Sequence, residues 1–268
     1  MNSDSNMKHH PHRNHSTRRA FTLIELLVVI SIIGILAGLL MPALAGAKKR
    51  ARIVQTQKDM ADLKGAISVY QHDYNRLPAS TPAAQIGSDF TYGTTPPGTG
   101  YGTNIVNNNN VGYQASNAEL MVILTGGATN GWTGVPIDPS AQNDGRNPRK
   151  NQYFNAKPAP GGSGAAAGAG LGTDGVFRDP WSNPYIVGLD LNYDNSVSNS
   201  VYRLQAVSQI AVNSPGGYYG HTGTGNGNNN NYTVRDTVMI FSFGPDGMFD
   251  AGTKADAVPN KDNVLSWK

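Results

Sequence analysis

The side chains best suited to binding a metal ion lie near the C-terminus. Asp246 follows a Gly-Pro pair, and further carboxylate and amide oxygens come after it, on Asp250, Asp256, Asp262 and Asn263. Ca²⁺ takes about six to eight oxygen ligands, and a Gly-flanked turn offers backbone carbonyls beside carboxylates. The pattern therefore has two interpretations, a calcium-binding loop or an acidic turn that faces solvent.

A second acidic run, residues 190–196, alternates Asp and Asn like the start of an EF-hand loop. Asn195 occupies the position of the Gly that such a loop needs for its sharp turn, and Val201 the position of its closing Glu. A hairpin turn between two strands is the simpler interpretation.

No group of residues predicts catalysis. The chain has no Cys, His72 and His221 are isolated, and no nucleophile-elbow or phosphate-loop pattern occurs. Enzymatic chemistry would lack both a recognisable nucleophile and a tuned base. We therefore expect a protein that is not an enzyme.

The elements that position these residues begin with a long apolar run. From Phe21 to Leu40 every residue except Glu25 is apolar, small or hydroxylic, and about 20 such residues cross a hydrocarbon core roughly 30 Å thick. A charge costs about 2.5 to 3.5 kcal/mol at mid-membrane and less near an end, so Glu25 needs a partner. Cleavage between Ala20 and Phe21 would supply one, because the new α-ammonium would lie about one helical turn from Glu25, or near that of a neighbouring copy.

Residues 19–30 read Arg-Ala-Phe-Thr-Leu-Ile-Glu-Leu-Leu-Val-Val-Ile, which resembles the signal shared by type IV pilins and the pseudopilins of type II secretion systems. The resemblance implies that a prepilin peptidase cuts after Ala20 and methylates the amine of Phe21, and that Glu25 guides subunit docking. The family usually has Gly where this chain has Ala20. An ordinary signal anchor or a cleaved secretory signal, cut near residues 43–47, are the alternatives.

The helix is expected to continue beyond the membrane. Apolar residues recur at helical spacing between charged ones, at Ile53, Met60, Leu63, Ile67, Tyr70 and Tyr74. Pro78 ends the pattern, because proline lacks an N–H donor and biases its predecessor away from helix. Pro42 and Gly46 are expected to interrupt the middle of the helix by a kink or by local melting.

The second half of the chain carries the signals of a small sheet. Three runs are rich in β-branched and aromatic residues, Tyr185–Leu191, Val201–Val207 and Thr237–Phe243. The pattern of Glu119–Leu124 predicts a short helix or a buried turn. The composition of the Gly-rich tracts 161–172 and 213–231 predicts loops. We predict an α+β, pilin-like fold, in which a long N-terminal helix packs on a small antiparallel sheet with long loops.

The expected organisation has three parts. Residues 1–20 form a cytoplasmic leader, and residues 21–76 form a helix that crosses the membrane over residues 21–45. Residues 77–268 form a globular head. Basic residues flank the apolar run on both sides, so charge alone does not decide the topology. The family resemblance places the protein in the bacterial inner membrane with its head in the periplasm.

A second motif, Asp-Pro-Trp-Ser-Asn-Pro-Tyr at residues 179–185, is similar to one typical of the major pseudopilin, with Ser182 in place of the usual Gly. Physically it is a turn, because two prolines fix φ, and Asp179 and Asn183 can bond nearby backbone. Trp181 can then bury against the helix. Turn chemistry favours a structural corner that binds no ligand.

The C-terminal acidic segment also resembles the calcium loop of major pseudopilins. The resemblance implies Asp246 and Asp262 as ligands, with Asp250, Asp256 and Asn263 as further candidates. Phe249 and the Val258-Pro259 pair depart from the family, which has more Gly here. The chain has no Cys for disulfides, so an exported head must rely on packing, partners or a metal.

Composition excludes a nucleic-acid partner. The net charge is +3, and the leader accounts for it, with Lys8, Arg13, Arg18 and Arg19 against Asp4. The cleaved chain would be nearly neutral, and its body has no basic stripe with interleaved aromatics. Four leader histidines, His9, His10, His12 and His15, would be removed with the leader.

These observations predict a pseudopilin subunit of a type II secretion system that polymerises through its helix into a helical filament. The resemblance implies prepilin peptidase, an inner-membrane assembly platform and minor pseudopilins as partners. A type IV pilus subunit is the nearest alternative. A membrane-tethered binding module that never polymerises is an alternative of a different class.

Overall fold

The computed structural model describes residues 21–93, 116–126, 145–162, 167–211, 216–223 and 230–268. The chain divides into two compact units, Met1–Lys49 and Arg50–Lys268. Both Gly-rich tracts that were expected to be loops lie partly outside the described residues.

Helix α1 extends from Leu23 to Tyr74. It confirms the long N-terminal helix and ends just before Asn75, which adopts a φ of 52°, and Pro78 follows. The helix continues through Pro42 and Gly46, so the predicted local melting is wrong. A proline removes only one backbone donor, and strong helix formers, leucine and alanine, surround this one.

The part of α1 in the first unit is apolar and uncovered. Among the residues that the structure describes, α1 is the one helix long and apolar enough to cross a membrane, and none of its most apolar stretch is buried within the protein. Large side chains from Leu23 to Leu44 are exposed by 49–86 %. So large an apolar surface marks a site of contact with a membrane or with another protein.

The described part of the second unit contains six short strands. They are β1 (Phe90–Tyr92), β2 (Gly170–Leu171), β3 (Phe177–Arg178), β4 (Ile186–Leu189), β5 (Val238–Ser242) and β6 (Val264–Leu265). Strands β1, β4, β5 and β6 pair in that order in one antiparallel sheet, and β2 pairs with β3 in a separate antiparallel pair. Together with α1 they form the predicted α+β arrangement.

Two of the three predicted strands are confirmed. β4 lies within the run 185–191, and β5 lies within the run 237–243. The predicted short helix is also present. Helix α2 extends from Thr81 to Gln85, and α3 (Asn117–Leu124) contains the predicted residues 119–124 and is buried at every residue. A helix without an exposed face belongs to the core of the head.

The third predicted strand, residues 201–207, is wrong. This segment forms a turn and then a one-turn helix, α4 (Gln205–Ser208). The side chain of Asn199 explains the difference, since its Oδ1 accepts the backbone N–H groups of Val201 at 2.9 Å and Tyr202 at 2.7 Å. A side chain that bonds nearby N–H groups diverts the backbone from strand pairing.

One face of α1 in the second unit packs into the head. Met60, Leu63, Ile67 and Tyr70 are buried and share a core with residues of β1, β4 and β5, while Ile53 and Tyr74 are partly buried against it. This confirms the predicted apolar stripe. The Lys64 ammonium also pairs with the Asp236 carboxylate at 2.5 Å, close to the start of β5.

Candidate functional site

The first turn of α1 contains a capping box formed by Thr22 and Glu25. The Glu25 carboxylate accepts the Thr22 backbone N–H at 2.8 Å and its hydroxyl at 2.7 Å, while the Thr22 hydroxyl oxygen accepts the Glu25 N–H at 3.2 Å. A Thr and a Glu three residues apart satisfy N–H groups at a helix start in this way. The box therefore fixes the carboxylate at the positive end of the helix dipole.

This partner of Glu25 was missed by the sequence prediction, which named the α-ammonium of Phe21. The Thr-x-x-Glu spacing is itself a capping signal and could have revealed it. Phe21 is 82 % exposed, and Glu25 is exposed as well. Ala20 lies outside the described residues, so the cleavage and methylation of this junction stay predictions.

The two main calcium candidates lie in short 3₁₀ turns. Asp246 ends the turn Gly244–Asp246, and Asp262 ends the turn Asn260–Asp262. The turns approach closely, because Gly244 adopts a φ of 69° and a Cβ there would overlap the Asp262 carbonyl. The Asp246 carboxylate is exposed and accepts the backbone N–H of Met248 at 2.8 Å.

The side chains of the further candidates bond to other partners or face solvent. Asp250 accepts the Thr253 hydroxyl at 2.6 Å, Asp256 is exposed, and the Asn263 amide donates to a buried tyrosine hydroxyl at 2.9 Å. In the described ranges, no three His, Cys, Asp or Glu side chains form a group that could hold a metal ion. A calcium ion here would take most of its oxygens from backbone carbonyls and water.

Asn260, which the sequence did not single out, closes the acidic loop. Its amide nitrogen donates to the carbonyls of Asp250 at 2.8 Å and Thr253 at 2.6 Å, and its Oδ1 accepts the Asp250 N–H at 3.0 Å. These bonds join residues separated by up to ten positions. Local sequence patterns carry no signal for such contacts.

The run 190–196 folds as a local turn. The buried Asp190 carboxylate accepts the backbone N–H groups of Asp194 at 3.2 Å and Asn195 at 2.9 Å. Asn195 adopts a positive φ of 61°, which asparagine tolerates better than most residues. These contacts are those of a turn and agree with the simpler interpretation.

The Asp179–Tyr185 motif forms the predicted corner. Asp179 Oδ1 accepts the backbone N–H groups of Trp181 at 2.8 Å and Asn183 at 2.9 Å. Ser182 adopts a φ of 75°, a conformation that favours the Gly usual in the family. Trp181 is partly buried against the core that contains the buried face of α1.

Burial dominates the electrostatics of several ionisable groups in the head. It raises the pKa of Asp179 to about 6, and it lowers the pKa of His221 to about 4, which leaves that imidazole neutral at pH 7. Arg178 and Asp174 form a buried ion pair, with an N–O distance of 2.8 Å. The groups described here take part in hydrogen bonds or an ion pair within the head.

Comparison with known proteins shows what the N-terminal part of the chain is similar to. A family model described as the prokaryotic N-terminal methylation motif matches residues 15–41, which include the capping box and the start of the apolar helix. The chain therefore carries a type IV pilin-like N-methylation motif. The matched residues agree with the resemblance to pilin-like structural proteins that the sequence motif indicates.

Individual relatives point to the type II secretion core protein G. The protein of that name from Klebsiella pneumoniae is 40 % identical over 68 residues, 25 % of this chain and 49 % of the relative. That from Dickeya chrysanthemi is 38 % identical over 80 residues, 30 % of this chain and 51 % of the relative. The type IV major pilin protein PilE1 of Neisseria gonorrhoeae is 32 % identical over 71 residues, 26 % of this chain and 43 % of the relative.

The chain thus has partial homology to type II secretion core protein G, the major pseudopilin. It spans about half the length of the curated relatives it matches. No solved structure matches the chain. The remainder of the head is therefore interpreted from its own geometry.

The buried Asp179 predicts a measurable pH dependence. Its pKa is about 6 in the folded protein and about 3.9 in an unfolded chain. Because folding raises the pKa, this group's stabilisation is complete below about pH 3.9 and is lost as the pH rises through about 6. An uncharged Asp179→Asn variant should therefore gain stability relative to wild type between pH 4 and 7, by up to about 3 kcal/mol.

Denaturant unfolding of the full chain in detergent at pH 4, 5, 6 and 7 measures this difference. Other titrating groups, such as Asp89 and His221, are common to both proteins and cancel. Exposed Gln152→Ala serves as the control, with a difference that stays constant. A constant difference for Asp179→Asn would contradict the prediction.

Proposed function

We propose that this chain is a filament-forming pseudopilin subunit of a type II secretion system. The observation that carries the proposal is the methylation motif at residues 15–41 joined to a helix whose apolar side chains are uncovered. The identity with core protein G supports the secretion branch. The proposal includes cleavage by prepilin peptidase between Ala20 and Phe21 and methylation of the new amine.

In this proposal the apolar half of α1 has two successive environments. Before assembly it crosses the bacterial inner membrane, with the head in the periplasm. After cleavage it packs against the same segment of neighbouring copies, and the interface is heterologous, so it repeats as a helical filament instead of closing into a ring. An inner-membrane assembly platform and minor pseudopilins are the proposed partners in protein secretion.

Glu25 is the proposed docking residue. A carboxylate in the apolar segment is costly unless it is paired, and the capping box with Thr22 satisfies it only with hydrogen bonds from its own chain. The amine of a cleaved Phe21 in a neighbouring copy would supply the opposite charge. Docking would then be coupled to cleavage, because the amine does not exist before the leader is removed.

Replacing Glu25 and Thr22 separately tests this role. Glu25→Ala should remain cleaved and membrane-bound but form filaments at least about tenfold less, since about 1.4 kcal/mol of lost pairing corresponds to that factor. Thr22→Val removes the hydroxyl bonds but keeps the charge, so it should assemble substantially better than Glu25→Ala. Electron microscopy of sheared filaments and immunoblotting of the cleaved subunit are the measurements.

The comparison of these variants separates docking from capping. Equal loss in Thr22→Val and Glu25→Ala would show that Glu25 acts only as a helix cap. Normal filaments from Glu25→Ala would contradict the docking role of Glu25. A wild-type chain that forms no filaments, together with a Glu25→Ala variant whose phenotype is unimpaired, would favour the tethered binding module.

Calcium binding by the C-terminal loop is a second part of the proposal. Asp246 and Asp262 are the proposed side-chain ligands, with Asp250, Asp256 and Asn263 as further candidates. The close approach of the two 3₁₀ turns supports it, because turns also supply the carbonyl oxygens that Ca²⁺ accepts. A bound ion would tie the two turns together and stabilise the folded head.

Chelation tests the calcium proposal. With 1 mM Ca²⁺ as the added probe, the full chain in detergent should unfold at a temperature several degrees higher than in EGTA, since about 1 kcal/mol shifts Tm by roughly 2–4 °C for a domain of this size. Asp246→Ala should abolish the shift, whereas Asp194→Ala, on a separate acidic turn, should retain it. An identical Tm in calcium and EGTA would contradict calcium binding.

A type IV pilus subunit is the second candidate function. The match to the gonococcal type IV major pilin favours it, and it shares the methylation motif. Deletion of the gene separates the two, because loss of a secreted protein activity with surface pili intact indicates a pseudopilin. Loss of pili with normal secretion indicates a pilus subunit.

A further inference from the structure

The Asp179 carboxylate connects the Asp-Pro-Trp corner to the strand that leads into the C-terminal loop. Its side chain is fully buried, and besides the two N–H groups of its own turn it accepts the hydroxyl of Ser242 at the end of β5. No cationic side chain in the described part of the chain forms an ion pair with it. Its charge is therefore balanced by hydrogen-bond donors alone.

These donors continue to the first residue of the C-terminal turn. The Ser242 hydroxyl oxygen accepts the backbone N–H of Gly244 at 2.9 Å, and the Asn183 amide donates to the Gly244 carbonyl at 2.9 Å. Both backbone polar groups of Gly244 are thus bonded to side chains that themselves contact Asp179 or belong to its turn. A backbone unit held from both sides has little freedom to reorient.

The same corner shapes the other end of the turn. Gly247 adopts a φ of 63°, and a Cβ there would lie 2.8 Å from the Asn183 amide oxygen. The turn therefore packs directly against Asn183. Since Asn183 receives its own backbone bond from Asp179, one carboxylate influences both ends of the 244–247 turn.

We propose that Asp179 is a positioning residue for the C-terminal loop, which fixes the 244–247 turn through Ser242 and Asn183. The corner motif would then orient a loop more than 60 positions away in sequence. The inference depends on neither filament assembly nor calcium, so its test is carried out in EGTA on the unassembled full chain.

Hydrogen exchange of the full chain in detergent tests the proposal. In Asp179→Ala, amides of the 244–247 turn should exchange about tenfold faster or more, because a hydrogen bond of about 1.4 kcal/mol corresponds to that factor. Asp179→Asn should be intermediate, since its amide oxygen can still accept the two N–H groups of the corner. Asp194→Ala is the matched control, because Asp194 caps an exposed turn elsewhere, and should leave 244–247 unchanged.

Two variants, each of which removes one of the two side chains that bond Gly244, separate positioning of the turn from simple capping of the corner. We call them the single-link variants. Ser242→Ala and Asn183→Ala should each speed exchange at 244–247 while leaving the bonds from Asp179 to Trp181 in place. If Asp179→Ala speeds exchange only in its own turn, or if both single-link variants leave 244–247 unchanged, the proposal is wrong. If Asp179→Ala does not fold, Asp179→Asn decides the question, because wild-type exchange at 244–247 in that variant would contradict the proposal.

Discussion

The apolar surface of α1 has to be removed from water, and most of the molecule follows from that requirement. In the second unit the requirement is met within the chain, because Met60, Leu63, Ile67 and Tyr70 are buried in the core of the head. In the first unit it is not met, since the side chains from Leu23 to Leu44 are exposed. A membrane and then neighbouring copies are the proposed covers, so insertion and polymerisation are two solutions of one physical problem.

In the proposed function, a single carboxylate would give this apolar segment its direction and its specificity. Glu25 cannot be hydrated inside a membrane or a helix bundle, and Thr22 satisfies it with hydrogen bonds but supplies no charge. The imbalance leaves a preference for a cation near the helix start. The proposed cleavage before Phe21 would create such a cation, and processing and docking would then be coupled.

Sequence reasoning succeeded where a pattern repeats over many residues. The spacing of apolar residues predicted α1, and β-branched runs predicted β4 and β5. Strands β1, β2, β3 and β6 were missed, because two or three residues carry too little periodicity to be recognised. The error at 201–207 arose because the Asn199 side chain diverts backbone N–H groups that the β-branched pattern would assign to a sheet.

The functional residues also differ in whether a local sequence pattern could reveal them. The Thr22 cap lay in a readable four-residue spacing and was overlooked, whereas the bonds of Asn260 and the link from Asp179 to Ser242 join distant segments and needed the fold. The calcium candidates came from composition and resemblance. These identify residues with oxygen donors but do not show whether the donors lie close enough together to bind one ion. Long-range hydrogen bonds of buried polar groups are the information that the sequence pattern does not carry.

Mass spectrometry of the N-terminus of the protein isolated from membranes that contain a prepilin peptidase tests the central claim most directly. The account predicts a chain that begins at Phe21 and carries one methyl group on its α-amine. A retained leader would indicate an ordinary signal anchor, and a start beyond residue 43 would indicate a secretory signal. Either result would contradict the account.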